Sequence, residues 1–270
     1  MLFFELLLKL KIVINFCDFC GYIIFKQIIN DILFSWCNFR LSLFHIFDYK
    51  SEKMKILTFI ILLFSTMSHA QDFANFGKYQ KQNQEVKSKN TTPNSVLMGD
   101  SITEGWFATD PEFFTKNNFV GRGIGGQVTS QMLLRFREDV ILLKPKRVII
   151  LAGTNDIAEN QGPISMDKIF GNIVSMVELA KANNIKVVLC SALPASDFPW
   201  RKGMMPADKV IALNQMIKDY AQKNKITYID YHTPLKDDEN GLPKEIAEDG
   251  IHPNKLGYEK MEAILMKNLK

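Results

Sequence analysis

Two histidines follow residue 70 in this 270-residue chain, and one of them, His252, has a carboxylate three residues before it, Asp249. With that spacing one loop can carry both groups, the carboxylate fixing the imidazole tautomer and stabilising its cation. A ring held in this way can take the proton of a hydroxyl, and Ser101 offers one. It follows Gly99-Asp100 at the end of an apolar run, where a small residue lets the chain turn sharply and present the side chain at a sheet edge. The segment lacks a glycine at 103, so it is not the Gly-x-Ser-x-Gly elbow. Acyl transfer to a serine builds negative charge on oxygen, and donors must already point at it. Three candidates stand in the sequence: the N–H of Ser101, the turn Gly123-Ile124-Gly125-Gly126 at the start of a long helix, and the amide of Asn155 in Gly153-Thr154-Asn155-Asp156. Together these segments imply ester hydrolysis through a serine, with His252 as base and Asp249 as its partner. His232, in Tyr231-His232-Thr233-Pro234, is expected in a surface loop.

Other chemistries fit less well. Gly121-x-Gly123-x-x-Gly126 satisfies the dinucleotide fingerprint in form, but it follows a second strand and has no ribose-binding acid at the next strand end. Cys17-x-x-Cys20 has no second ligand pair and lies among apolar residues, so no metal and no cofactor is expected. The net charge is +4 for the whole chain and +2 after Ala70, from 26 Lys and Arg against 24 Asp and Glu. The basic residues are dispersed. Lys144-Pro145-Lys146-Arg147 is the one cluster and reads as a solvated turn, which excludes a nucleic-acid surface.

The elements that must position these groups alternate. Short apolar runs at Ser95 to Met98, Arg147 to Ala152, Lys186 to Leu193 and Ile226 to Asp230 read as buried parallel strands, with a weaker one at Asn118 to Gly121. Apolar residues at helical spacing mark Val128 to Leu143, Met166 to Asn183, Ala207 to Lys223 and Lys255 to Leu269. Such alternation predicts an α/β fold with a parallel sheet covered on both faces and ligands bound outside the carboxyl ends of the strands. Trp106, Phe107, Trp200 and Arg201 are expected on loops bordering that edge.

The N-terminal third reads differently. Residues 1–53 form a hydrophobic segment without sustained periodicity, read as upstream sequence. Met54-Lys55, the apolar run Ile56 to Phe64 and Ser68-His69-Ala70 make a secretory signal at 54–70, too short to span a bilayer. The rival reading, a membrane-embedded N-terminus, is broken up by Lys26, Asp31 and Arg40. Residues 71–94 form a polar arm and 95–270 the catalytic domain. Cys190 alone follows Ala70, which leaves no internal disulfide and no lipid-anchor cysteine at the processing site, so no stable membrane anchor is expected in the mature form.

From Ser95 onward the blocks Gly99-Asp100-Ser101, Gly125-Gly126, Gly153-x-Asn155-Asp156 and Asp249-x-x-His252 resemble the SGNH, or GDSL, hydrolase family. That resemblance implies a flavodoxin-like three-layer α/β/α fold with a five-stranded parallel sheet and a metal-free Ser101-His252-Asp249 triad. It also implies an oxyanion hole of the Ser101 and Gly126 N–H groups with the Asn155 amide. Many relatives carry Asp after the second-block glycine where this chain has Gln127, which leaves Gly125 and Gly126 both open as the donor. The leading expectation is an exported esterase for small acyl esters, above all O-acetyl groups on carbohydrate. The alternatives are lysophospholipase or thioesterase action on longer acyl chains, or a non-catalytic carbohydrate-binding module.

Overall fold

The computed structural model of the chain describes residues 72–89 and 91–269; the apolar segment and the export signal expected before residue 71 lie outside them. Five strands form the sheet: β1 (Ser95–Gly99), β2 (Phe119–Gly123), β3 (Arg147–Ile150), β4 (Lys186–Cys190) and β5 (Thr227–Ile229). They run parallel in the order β2-β1-β3-β4-β5. Every residue of β1 is buried. Because side chains alternate across a strand, Val96 and Met98 enter one core while Leu97 enters the other.

On the Val96 and Met98 side lie α4 (Thr129–Asp139), α6 (Met166–Ala182) and α7 (Ala207–Lys223), which contribute Met132, Phe136, Ile173, Val177, Leu213 and Ile217. Facing Leu97 are α2 (Ser101–Thr109), α3 (Pro111–Asn117) and the last helix, α9 (Lys255–Asn268). The short α5 (Thr154–Ile157) and α8 (His232–Leu235) sit at strand ends, and α1 (Gln80–Ser88) lies in the N-terminal arm.

The order of the strands reverses between β1 and β3. Parallel crossovers leave from opposite faces there and open a crevice beyond the strand ends. Ser101 follows β1 and Asn155 follows β3, so both reach this crevice. The first crossover differs from the sequence expectation, for Trp106 and Phe107 stand on helix α2 and not on a loop. Asp100 and Asp110 cap α2 and α3 by accepting from the N–H groups of Ile102 (3.0 Å) and Phe113 (2.8 Å).

Candidate active site

The nucleophile segment is shaped by close packing. A Cβ at Gly99 would fall 2.1 Å from Thr103 Oγ1, and one at Gly123 would fall 2.1 Å from the backbone N of Glu104. Gly99 and Gly123 therefore serve to bring α2 against the ends of β1 and β2. Ser101 is the first residue of α2, where an N–H has no partner within its helix. Asp100 beside it is buried, and burial pushes its carboxyl up to about 6, against the opposing pull of the Ile102 hydrogen bond and the nearby His252.

Across the crevice, His252 Nε2 lies 2.9 Å from Ser101 Oγ and its Nδ1 lies 2.6 Å from Asp249 Oδ2. The tautomer that satisfies both contacts carries its proton on Nδ1, leaving Nε2 to accept from the serine. Asp249 Oδ1 accepts from the backbone N–H groups of Ile251 (2.9 Å) and His252 (2.8 Å). Burial raises the Asp249 carboxyl, but these hydrogen bonds and the imidazole outweigh it and hold the group below its ordinary range. The loop is anchored next to it. Asn254 caps α9 and donates to Glu245 O at 2.8 Å, while Tyr258 Oη donates to Ile102 O at 2.9 Å, tying the last helix to the first turn of α2.

On the other side of Ser101 stands the turn before α4. The N–H of Gly125 donates to Glu104 Oε2 at 2.7 Å, and Glu104 Oε1 pairs with Lys78 of the arm at 2.7 Å. Gly126 is exposed and adopts φ of +74°, a left-handed conformation that costs an L side chain about 1–2 kcal/mol. The glycine turn precedes α4 rather than opening it, and the first N–H of that helix is already taken. Asp156 takes both the N–H (2.8 Å) and the hydroxyl (2.6 Å) of Thr129, capping the helix. Asn155 donates from Nδ2 to Gln127 O at 3.1 Å and accepts at Oδ1 from Asn160 Nδ2 at 2.7 Å, which leaves its second amide hydrogen without a partner among the described residues.

The side chain of Gln127 links this turn to the arm and to α4. Its Nε2 donates to Ala74 O of the arm (2.8 Å) and its Oε1 accepts from Arg135 Nε (2.5 Å). Arg135 is fully buried, pairs with Asp139 at 2.8 Å and donates to Gly99 O and Arg122 O, both at 2.9 Å. Burial lowers its pKa and Asp139 opposes the shift. The arm is fastened further by Gln131 Nε2 on Phe73 O (2.7 Å) and by Tyr79 Oη on Gly123 O.

Several expectations need correction. Trp106 is buried, stacked between Phe113 and Tyr258 and donating to Glu262 at 2.9 Å, so it does not border the site. Phe107 is exposed but lies edge-on against Phe114. Arg201 is turned onto the carbonyls of Ala158 and Glu159. Trp200 is at the site: half-exposed, it places its ring centroid 6.1 Å from that of His252 and donates to Asn160 Oδ1 at 3.0 Å. His232 is buried rather than on a surface loop, and burial lowers its pKa. Asn160 escaped the sequence reading, and so did the arm's place at the site, since a lone asparagine in Glu159-Asn160-Gln161 and a polar leader carry no motif. Beside Gly126 a cleft of about 830 Å³ opens between the arm, residues 160–161 and Trp200.

Among the described residues no cluster of three or more His, Cys, Asp and Glu side chains could hold a metal ion, and no helix is long and apolar enough to cross a membrane. Residues 97–260 match the model of the GDSL-like lipase/acylhydrolase family. A GDSL-like lipase of Bacteroides thetaiotaomicron is 47% identical in sequence, with a TM-score of 0.70 over 72% of this chain and 97% of that one. An acetylxylan esterase of Geobacillus stearothermophilus, at 18% identity and a TM-score of 0.54 over 67% of this chain and 96% of its own, shares the fold. A Bacillus subtilis protein named an uncharacterized lipoprotein is 36% identical over 80 residues, 28% of this chain and 33% of its own length, so the match spans about a third of that relative.

Proposed function

We propose, from the premise that this chain belongs to the GDSL-like lipase/acylhydrolase family and hydrolyses ester bonds, that it is an exported serine esterase removing small acyl groups, above all acetyl, from carbohydrate. The observation that carries the reading is the unbroken line Ser101 Oγ, His252 Nε2, His252 Nδ1, Asp249 Oδ2, at 2.9 and 2.6 Å. In this mechanism Ser101 Oγ attacks the ester carbonyl as Nε2 takes its proton. The N–H groups of Ser101 and Gly126 and the free amide hydrogen of Asn155 hold the oxyanion; the Gly125 N–H is already committed to Glu104, which favours Gly126 as donor. Collapse breaks the bond to the alcohol, whose oxygen receives the proton from Nε2. Water, deprotonated by the same nitrogen, then attacks the acyl-serine, releasing the acid and restoring the hydroxyl.

The polar cleft beside Gly126 favours a polar alcohol over a long acyl chain, since Ile124 is its one aliphatic lining residue and is itself buried. For export, support comes from the signal at 54–70 and from the lipoprotein name of the Bacillus subtilis relative. The test is a fluorophosphonate probe followed by an ester panel. Labelling at Ser101 with preference for acetylated sugars is expected; folded protein that takes no label at Ser101 would point to a non-catalytic binding module instead.

A further inference from the structure

The cleft reaches the site through Gly126 and Trp200. Trp200 forms one wall and stands beside the His252 ring, so a group resting against Trp200 is next to the nitrogen that must protonate the departing oxygen. Opposite it the arm supplies Phe73, with Asp72 and Asn75 on either side, and Gln161 completes a polar rim. Phe73 is 51% and Trp200 44% exposed. Two half-exposed aromatic rings above a rim of amides and a carboxylate match a sugar ring, whose C–H faces pack on aromatics while its hydroxyls seek hydrogen bonds.

Size points the same way. At about 830 Å³ the cleft is in the ~300–1,000 Å³ range of small-molecule sites, far larger than a methyl group requires. The walls are also held in advance. Trp200 stacks on Phe198 at 5.2 Å and is hydrogen-bonded to Asn160. The Phe73 and Ala74 carbonyls are gripped by Gln131 and Gln127, Ala74 is fully buried, and Gly77 N–H closes a turn on Asp72 Oδ2 at 3.0 Å. A preformed wall loses little freedom when ligand binds.

Resting on the carbohydrate-esterase reading above, we propose that this cleft is the subsite for the sugar that carries the ester, and that residues 72–75, which precede the family-matching segment, set the alcohol specificity. The ester carbonyl then sits at Gly126 and Asn155, with the sugar between Phe73 and Trp200.

The experiment compares kcat/KM for an O-acetylated methyl xyloside with kcat/KM for ethyl acetate, whose alcohol has no ring. In Phe73→Ala the ratio of the two should fall about tenfold, chiefly through KM for the sugar ester, and Phe73→Trp should restore it. Taking a ratio cancels any general loss of folded enzyme. A ratio unchanged in Phe73→Ala, while the unaltered protein turns over the sugar ester well, overturns the subsite and leaves the esterase reading standing. An unaltered protein that cleaves ethyl acetate but not the xyloside overturns both.

Discussion

Asn160 offers a sharp test of the oxyanion arrangement, because its side chain is hydrogen-bonded to both Asn155 and Trp200. The Asn155 amide is oriented by two contacts: Oδ1 accepts from Asn160 Nδ2 at 2.7 Å and Nδ2 donates to Gln127 O at 3.1 Å. In Asn160→Asp the group at 160 has acceptors alone, so the two oxygens would face each other. A half-turn of the Asn155 amide gives Nδ2 to the new carboxylate and turns Oδ1 toward the crevice; it loses the bond to Gln127 O and sets two neutral oxygens together there, a milder clash than one with a charged carboxylate. Trp200 Nε1 keeps its acceptor at 160, so the wall it forms stays in place. Loss of one oxyanion donor costs about 3 kcal/mol, or on the order of 10²–10³ in kcat, and an oxygen turned toward developing negative charge makes that a lower bound. Asn160→Ala should cost less, since Gln127 O still holds the amide the right way round. Steady-state kinetics on p-nitrophenyl acetate, with melting temperatures to confirm the fold, provide the assay. If folded Asn160→Asp kept kcat within tenfold of the parent, or if the Ala variant were as impaired as the Asp variant, the oriented-amide argument would be wrong.

Ser101→Ala and His252→Ala should each lower kcat by several orders of magnitude, and the double variant by little more, because the pair acts as one unit; additive losses in single-turnover assays would contradict this. Gly126→Ala should lose turnover through the strain at φ +74° and the displaced N–H, whereas Gly125→Ala, at negative φ with its added Cβ 3.2 Å from the flexible Glu104 carboxylate, should lose much less; equal losses would remove the preference for Gly126. Asp100 has its folded pKa raised from 3.8 to about 6, so its contribution to stability is fully present below its unfolded value and is lost as pH rises through 6. Asn can make the same cap without a charge, so Asp100→Asn should gain stability relative to the parent above pH 6, on the order of 3 kcal/mol, with the gap shrinking below pH 4. Urea melts at pH 4, 6 and 8 would show it, and a gap independent of pH would rule it out.

Long, periodic elements were legible in the sequence because their apolar residues repeat over several turns or fill a whole strand. The weak strand at Phe119–Gly123 and the helices at 166–182, 207–223 and 255–268 begin and end within two residues of their expected limits. The first crossover was not legible, since α2 and α3 have nine and seven residues and their aromatic residues crowd without a clean repeat. Asp100 and Asp110-Pro111 were the helix-start signals available there. The serine, histidine and aspartate stood out because few residue types can do their chemistry and only two histidines competed. What lay beyond reach was set by contacts between distant segments. Trp106 and Trp200 look alike beside their motifs, yet Tyr258 and Glu262, some 150 residues further on, bury the first, while the second stays open at the cleft. The same holds for Gln127, whose partners Ala74 and Arg135 flank it from the arm and from α4.

The nucleophile and its base are separated by 151 residues, and the base loop is fixed by α9, which locks onto Ile102 and Trp106 of α2. Contacts of such separation form late in folding, after the entropy of closing the intervening chain has been spent. Turnover should therefore return on refolding only when α9 docks, behind the recovery of helical circular dichroism. During synthesis the growing chain carries Ser101 through the next 151 residues with no base to activate it, so the esterase stays silent until His252 has been made and its loop has docked.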